Sequence, residues 1–164
     1  MQKRLFCAAP LAALLLLAGC NPTYNWRDYS SADAPYRIMF PAKPATHTRA
    51  IDLNGMRVEM TMTAAEVEGV MFAVGTGVAP DAAQAQAALG AMRTALVRNI
   101  GAKPEPGNTA GDVDAAGSAN GQPIKLRAHF EARGTRFYQV VVMGKANAMS
   151  ADHTDQFISS FKSL

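Results

Sequence analysis

The chain has 164 residues, of which 49% are hydrophobic, 18% are charged and 7% are aromatic. This length suits a single domain, and the balance of apolar and charged residues excludes a disordered or a fibrous protein. The formal net charge of +3 is a mild basic bias.

The first twenty residues have the anatomy of a secretory signal. A short positive start, Gln2-Lys3-Arg4, precedes an apolar run from Leu5 to Leu17. Even counted through Cys20, this stretch is shorter than the ~20 apolar residues that a membrane-spanning helix needs. A basic start followed by a short apolar run is typical of an exported chain.

The end of this segment resembles the lipobox of bacterial lipoproteins. Leu17-Ala18-Gly19-Cys20 places a Leu three residues before a Cys, with small residues between them. The resemblance implies cleavage after Gly19, so that residues 1–19 are removed, and a diacylglyceryl group on the Cys20 thiol. In this family Asp directly after the Cys tends to retain the protein at the inner membrane, whereas Asn21 and Pro22 follow here. The resemblance therefore implies a lipid anchor in the outer membrane and a domain facing the periplasm; the alternative is an ordinary or uncleaved secretory signal.

Cleavage would also change the cysteine count and the charge. Cys7 leaves with the signal and Cys20 is blocked by lipid, so the remaining chain has no free thiol. This excludes a disulfide framework, a thiolate metal site and a cysteine nucleophile. Removal of Lys3 and Arg4 leaves 14 basic against 13 acidic residues. A chain so close to neutral lacks the basic surface that attracts nucleic acid, and we expect no nucleic-acid partner.

Residues 20–35 are predicted to be the lipidated Cys and a polar tether, followed by a single domain over residues 36–164. Tyr24, Trp26 and Tyr29 are interspersed along the tether. We expect these rings to fold back onto the domain; the alternative is that they lie at the lipid interface, as Trp and Tyr often do.

The domain is predicted to consist of strands, a helix, a second set of strands and a closing helix. Asn54-Gly55 and Asn120-Gly121 are strong hairpin signals, because both residue types tolerate positive φ. Asp81 is placed to cap the middle helix, whose apolar residues recur every three or four positions up to Ile100. Ser150 is placed to cap a closing helix that carries Phe157, Ile158, Phe161 and Leu164. Alternating patterns predict the strands Tyr36–Phe40, Thr46–Leu53, Met56–Ala64, Val70–Val78, Gln122–Ala132 and Thr135–Gly144, with a weaker one within Gly107–Gly121.

Short links between successive strands require antiparallel pairing. The predicted fold is therefore α+β, an antiparallel sheet built from hairpin meanders and flanked by two main helices. Residues 36–164 also resemble the Mog1/PsbP-like group of α/β/α domains. The resemblance rests on an aromatic-x-x-x-Phe-Pro-x-x-Pro opening (Tyr36 to Pro44), the Asn-Gly hairpins, the Asp-capped helix and an aromatic strand-then-helix ending. Known members of this group are binding or accessory subunits, so the resemblance implies a sandwich fold and a non-catalytic role.

The sequence contains no recognised catalytic motif. His47, His129 and His153 do not form an HExxH pattern, Ser118 is not in a G-x-S-x-G turn, and no phosphate-binding loop is present. We therefore predict no enzymatic activity, no metal site and no cofactor besides the covalent lipid on Cys20. An enzyme of unrecognised class is one alternative.

Methionines suggest another alternative, a periplasmic carrier of copper or of a small ligand. Met56, Met60 and Met62 share one strand face, with Met71 across a hairpin, and clustered thioethers can hold Cu(I). The same pattern is typical of an apolar core, in which Met fills gaps.

Two strands carry a polar face. Antiparallel sheets often leave one face solvated, so such a face can be plain wet surface or a recognition surface. A recognition surface here could take an envelope protein, a glycan or a lipid headgroup. We predict that it binds an envelope protein, while the lipid on Cys20 binds the membrane. The candidate binding residues are Arg57, Glu59, Lys125, Arg127, His129 and Glu131.

Overall fold

The computed structural model describes residues 22–102 and 111–164. The predicted signal segment 1–19 and the lipidation site Cys20 lie outside the described residues. Two helices and two antiparallel sheets give an α+β fold, which confirms the predicted class. No helix in this part of the chain is long and apolar enough to cross a membrane. The elements in chain order are β1 (Arg27–Ser30), β2 (Tyr36–Phe40), β3 (Ala45–Leu53), β4 (Met56–Val67), β5 (Val70–Val78), α1 (Ala82–Asn99), β6 (Asp112–Ala119), β7 (Gln122–Arg133), β8 (Arg136–Lys145), α2 (Ala151–Ser160) and β9 (Lys162–Ser163).

The larger sheet has six strands in the order β3-β4-β5-β8-β7-β6, and all neighbours are antiparallel. It consists of two hairpin meanders, β3-β4-β5 and β6-β7-β8, which meet where β5 pairs with β8. Asn54 and Asn120 have positive φ values of 56° and 50°. The predicted hairpins are therefore confirmed at both Asn-Gly turns.

Helix α1 covers one face of this sheet. The Asp81 carboxylate accepts a hydrogen bond from the Gln84 backbone N–H at 2.8 Å and another from Gln84 Nε2 at 2.9 Å. These bonds favour the charged carboxylate and lower the pKa of Asp81. The predicted capping of α1 is therefore confirmed. The core beneath α1 contains Val58, Met60, Ala85, Ala88, Leu89, Met92, Leu126, Phe130, Phe137 and Val141.

The opposite face of the sheet is covered by α2 and by a second, three-stranded sheet in the order β1-β2-β9. Phe157 of α2 is fully buried, with its ring centroid 5.3 Å from those of Phe40 in β2 and Phe72 in β5. The apolar core on this side contains Tyr36, Ile38, Phe40, Phe72, Val74, Tyr138, Val140, Val142, Phe157 and Phe161.

The small sheet is a feature that the sequence pattern does not predict. Strand β1 pairs with β2 within the segment predicted to be a tether, and β9 follows the closing helix. The prediction that the closing helix carries Phe161 and Leu164 is wrong, because α2 ends at Ser160. Phe161 has an extended backbone and packs into the core, and the side chain of Leu164 is exposed.

Candidate binding groove

All six candidate residues lie on the sheet face that α2 covers in part, but they do not lie together. Lys125 is aligned across the sheet with Gly144, Val70 and Val67. Arg57 lies ten residues before Val67 on β4, which corresponds to ~33 Å along the strand. At the other end of the group, Glu131 is aligned through Tyr138 and Thr76 with Thr61, two residues from Glu59. The structure therefore groups Lys125, Arg127, His129 and Glu131 along β7, and strands β5 and β8 separate this group from Arg57 and Glu59 by at least ~14 Å.

The four grouped residues line a groove between α2 and the outer strands β6 and β7. We call this feature the α2 groove. One cavity of about 370 Å³ lies at the amino end of α2, where Lys125 and Arg127 face Met149 and Ser150. A second cavity of about 480 Å³ lies at the carboxyl end, where His129 and Glu131 face Phe161, Lys162 and Ser163. The two cavities thus lie at the two ends of the same helix, and β7 contributes charged side chains to both.

Arg127 lines the first cavity and links three elements. Its Nη1 contacts Asp155 Oδ1 on α2, and its Nε is 3.6 Å from Asp114 Oδ1 on β6. The Arg127 side chain is 41% exposed, and the two carboxylates are more exposed still. Because exposed ion pairs contribute little to stability, the main effect of Arg127 is to order the charges of the groove.

His129 has a carboxylate at each ring nitrogen. Its Nδ1 is 2.7 Å from Asp112 Oδ1 on β6, and its Nε2 is 3.7 Å from Glu131 Oε2. Glu131 in turn accepts a hydrogen bond from Ser163 Oγ on β9. This chain of contacts runs from the edge strand of the larger sheet to the small sheet, so His129 is held in one orientation in the second cavity.

Several groove residues have no counterpart in the sequence prediction. Asp112 and Asp114 are two residues apart on β6 and therefore face the same side of the sheet. This spacing is visible in the sequence and could have placed both residues on one strand face. Asp155 and Ser163 carry no such signal, because only the packing of α2 and β9 brings them to β7. The sequence thus indicated the polar strand but not the helix that makes it a groove.

The methionines of the carrier alternative lie on the other face of the sheet. Met60 is 4% exposed and belongs to the core under α1. Met60 Cε and Met62 Sδ lie over Gly75, and Met62 Sδ accepts a hydrogen bond from Gln139 Nε2 at 3.6 Å. Met71 pairs with Met143 on the neighbouring strand. The methionines of the carrier alternative thus lie in two separate places, and none of these four lines the α2 groove.

Within residues 22–102 and 111–164, no group of three or more His, Cys, Asp or Glu side chains is arranged to hold a metal ion. No known protein family, no curated protein and no solved structure matches the chain.

Proposed function

We propose that this protein is a lipoprotein of the bacterial outer membrane, anchored through Cys20, whose periplasm-facing domain is a non-catalytic binding module. The lipobox Leu17-Ala18-Gly19-Cys20 supports the anchor and the location. The layered arrangement of α1, the larger sheet and α2 is compatible with a Mog1/PsbP-like domain, whose known members are binding or accessory subunits. The proposed partner is another protein of the envelope.

The observation that carries the binding role is the α2 groove. It carries charged groups of both signs, and contacts to α2, β6 and β9 hold Arg127, His129 and Glu131 in place. Charge patterns of this kind select partners and speed association more than they add affinity. The first cavity carries Lys125 and Arg127 beside Asp114, and the second carries Asp112 and Glu131 beside Arg133 and Lys162. The groove therefore suits a partner surface that carries charges of both signs.

The experiment is a crosslinked purification of the native lipoprotein from membranes, compared with a double variant R127A/H129A. A matched control, R57A/E59A, removes two charged side chains from the same sheet face outside the groove. We expect one dominant crosslinked protein that is retained by the control and reduced at least tenfold by the groove variant. Equal capture by both variants would exclude the groove as the binding site.

The anchor is tested in the same preparation. The intact mass of the mature chain should correspond to a start at Cys20 with added acyl groups. A C20S variant should lack them and lose both its membrane attachment and its partner. A mature chain that begins elsewhere, without lipid, would refute the anchor and leave the groove to be judged by the paired variants.

A further inference from the structure

The chain becomes part of the folded domain only a few residues after the proposed lipid. The Tyr24 ring lies against His153 of α2, with ring centroids 3.8 Å apart and planes tilted by 31°, and it meets the Phe72 ring edge-to-face with centroids 6.2 Å apart. Trp26 also packs against Phe72, at 6.1 Å. Between these two rings the Asn25 backbone N–H donates to a carbonyl oxygen in the segment after β2, at 2.8 Å. The position of the chain is therefore fixed from Tyr24 onward.

The remaining linker between lipid and domain is short. Asn21, Pro22 and Thr23 separate Cys20 from Tyr24, so the two Cα atoms can be at most ~14 Å apart. The headgroup layer of one leaflet is roughly 5–8 Å thick. A thioether-linked lipid places Cys20 near the inner boundary of that layer, which leaves Tyr24 at most ~9 Å beyond its outer surface.

The end of the domain around Tyr24 is defined by four features. Tyr24 and Trp26 pack on Phe72, which pairs with Ala65 three residues before the Glu68-Gly69 turn between β4 and β5, so this turn lies close to the two rings. Burial and, to a smaller extent, the Glu68 carboxylate raise the pKa of Tyr24. We call Tyr24, Trp26, His153 and this turn the anchor pole. Tyr and Trp combine an apolar ring with a polar group, and this combination suits the boundary between lipid and water.

We propose that the anchor pole lies against the lipid headgroups, so that the membrane surface is a second binding partner of the folded domain. This inference rests on the proposed lipidation of Cys20. The short linker holds the pole there, and the rings need not insert into the hydrocarbon. β4 runs away from this pole for 12 residues, or ~40 Å.

The same geometry orients the α2 groove. Lys125 is aligned with Val67 and Val70, which flank the turn at the anchor pole. The cavity at the amino end of α2 therefore lies at the membrane end of the domain. Arg57 and the Asn54-Gly55 turn lie at the far end, in the periplasm.

Trp26 is the only Trp of the chain, and this makes the inference measurable. The purified lipidated protein is incorporated into phosphatidylethanolamine/phosphatidylglycerol vesicles that carry dansyl-labelled headgroups, and energy transfer from Trp26 is recorded. A matched variant carries 20 Gly/Ser residues between Pro22 and Thr23, which adds ~25 Å of mean reach. We expect strong transfer in the native chain and at least a threefold loss in the variant.

A pair of labels on one strand gives an independent measurement. Variants E66C and R57C, each in the lipidated protein, carry a fluorophore at exposed positions ~30 Å apart on β4. We expect the label at position 66 to transfer energy to the headgroups and the label at position 57 to do so at least fivefold less.

The outcomes separate this inference from the anchor itself. Equal transfer with and without the insertion, or from both labels, in a chain whose mass shows the acyl groups would overturn the docked pole and leave the lipoprotein assignment intact. A chain without acyl groups would overturn both.

Discussion

At the scale of single residues, Tyr36 shows how the second core layer responds to pH. Its side chain is 1% exposed and packs against Tyr138 and Phe161, with ring centroids 6.1 and 5.9 Å away. Burial raises the pKa of Tyr36 to about 12, and hydrogen bonds to Thr63 and Ser31 oppose that rise only in part. The folded state thus strongly prefers the neutral phenol.

The sign of the pH dependence follows from this shift. In the unfolded chain Tyr36 ionises near its ordinary pKa of 10, so between pH 10 and 12 only the unfolded state loses the proton. The free energy of unfolding should therefore be unaffected by Tyr36 below pH 10 and fall as the pH rises toward 12. Urea unfolding at pH 8, 10 and 11 measures this fall in the free energy of unfolding, and Y36F, whose side chain cannot ionise, is the control. If Y36F and the native chain lose stability in parallel, Tyr36 is not the group responsible.

At the scale of elements, α1 and β6 meet at a contact that only glycine permits. The Ser118 backbone N–H donates to the Ile100 carbonyl oxygen at 2.7 Å, at the end of α1. A Cβ on Gly117 would overlap the same carbonyl oxygen and lie 3.2 Å from the Ala102 nitrogen. Because the obstructing atoms belong to the backbone, no side-chain rotation can relieve the overlap.

We therefore expect G117A to lower the free energy of unfolding by about 1–3 kcal/mol, the usual cost of overpacking. Gly90 provides the matched control, since it lies on the exposed side of α1 and a Cβ there meets no atom within 4 Å. G90A should raise the stability by up to ~1 kcal/mol through helix propensity. Urea denaturation of both variants measures the difference, and a G117A chain as stable as the native one would refute the contact.

The elements that could be predicted are those with a pattern of their own. Tyr36–Phe40 and Val70–Val78 have the predicted bounds, and Asp81 caps α1. β1 has four residues with no alternation of burial, and β9 has two. Both form because the edges of β2 are available for pairing, which is a tertiary effect that no local pattern records.

The candidate site could likewise be predicted only where it follows a local sequence pattern. Alternation places Lys125, Arg127, His129 and Glu131 on one face of β7, and the structure groups them there. Alternation also gives Arg57 and Glu59 the same face, but it contains no information on register across the sheet. The distance between the two groups, and the position of Asp155 on α2, depend on tertiary packing that the sequence pattern does not encode.

At the scale of the whole molecule, the two faces of the larger sheet differ in how completely they are covered. The α1 face holds the core that contains Met60 and Phe137. On the other face, α2 and the small sheet cover the central strands β5 and β8 and leave the polar side of β6 and β7 open as the groove. The proposed anchor enters at the end of this second layer, so the proposed attachment and the proposed binding groove belong to the same layer.

The second layer includes β1 and the rings of Trp26 and Tyr29, so the segment before residue 36 is part of the folded domain. Truncation of the chain tests this conclusion. The Tyr29 ring centroid is 5.4 Å from that of Phe40, and Trp26 covers part of Phe72. A chain of residues 36–164 should therefore lose about 2–4 kcal/mol of unfolding free energy, because truncating one fully buried aromatic side chain costs about 3–5 kcal/mol and Trp26 and Tyr29 are only half-buried. A chain of residues 24–164 keeps these contacts and should match one of residues 22–164. Urea unfolding followed by far-ultraviolet circular dichroism compares the three, and equal midpoints for the 36–164 and 22–164 chains would show that residues 22–35 are only a tether.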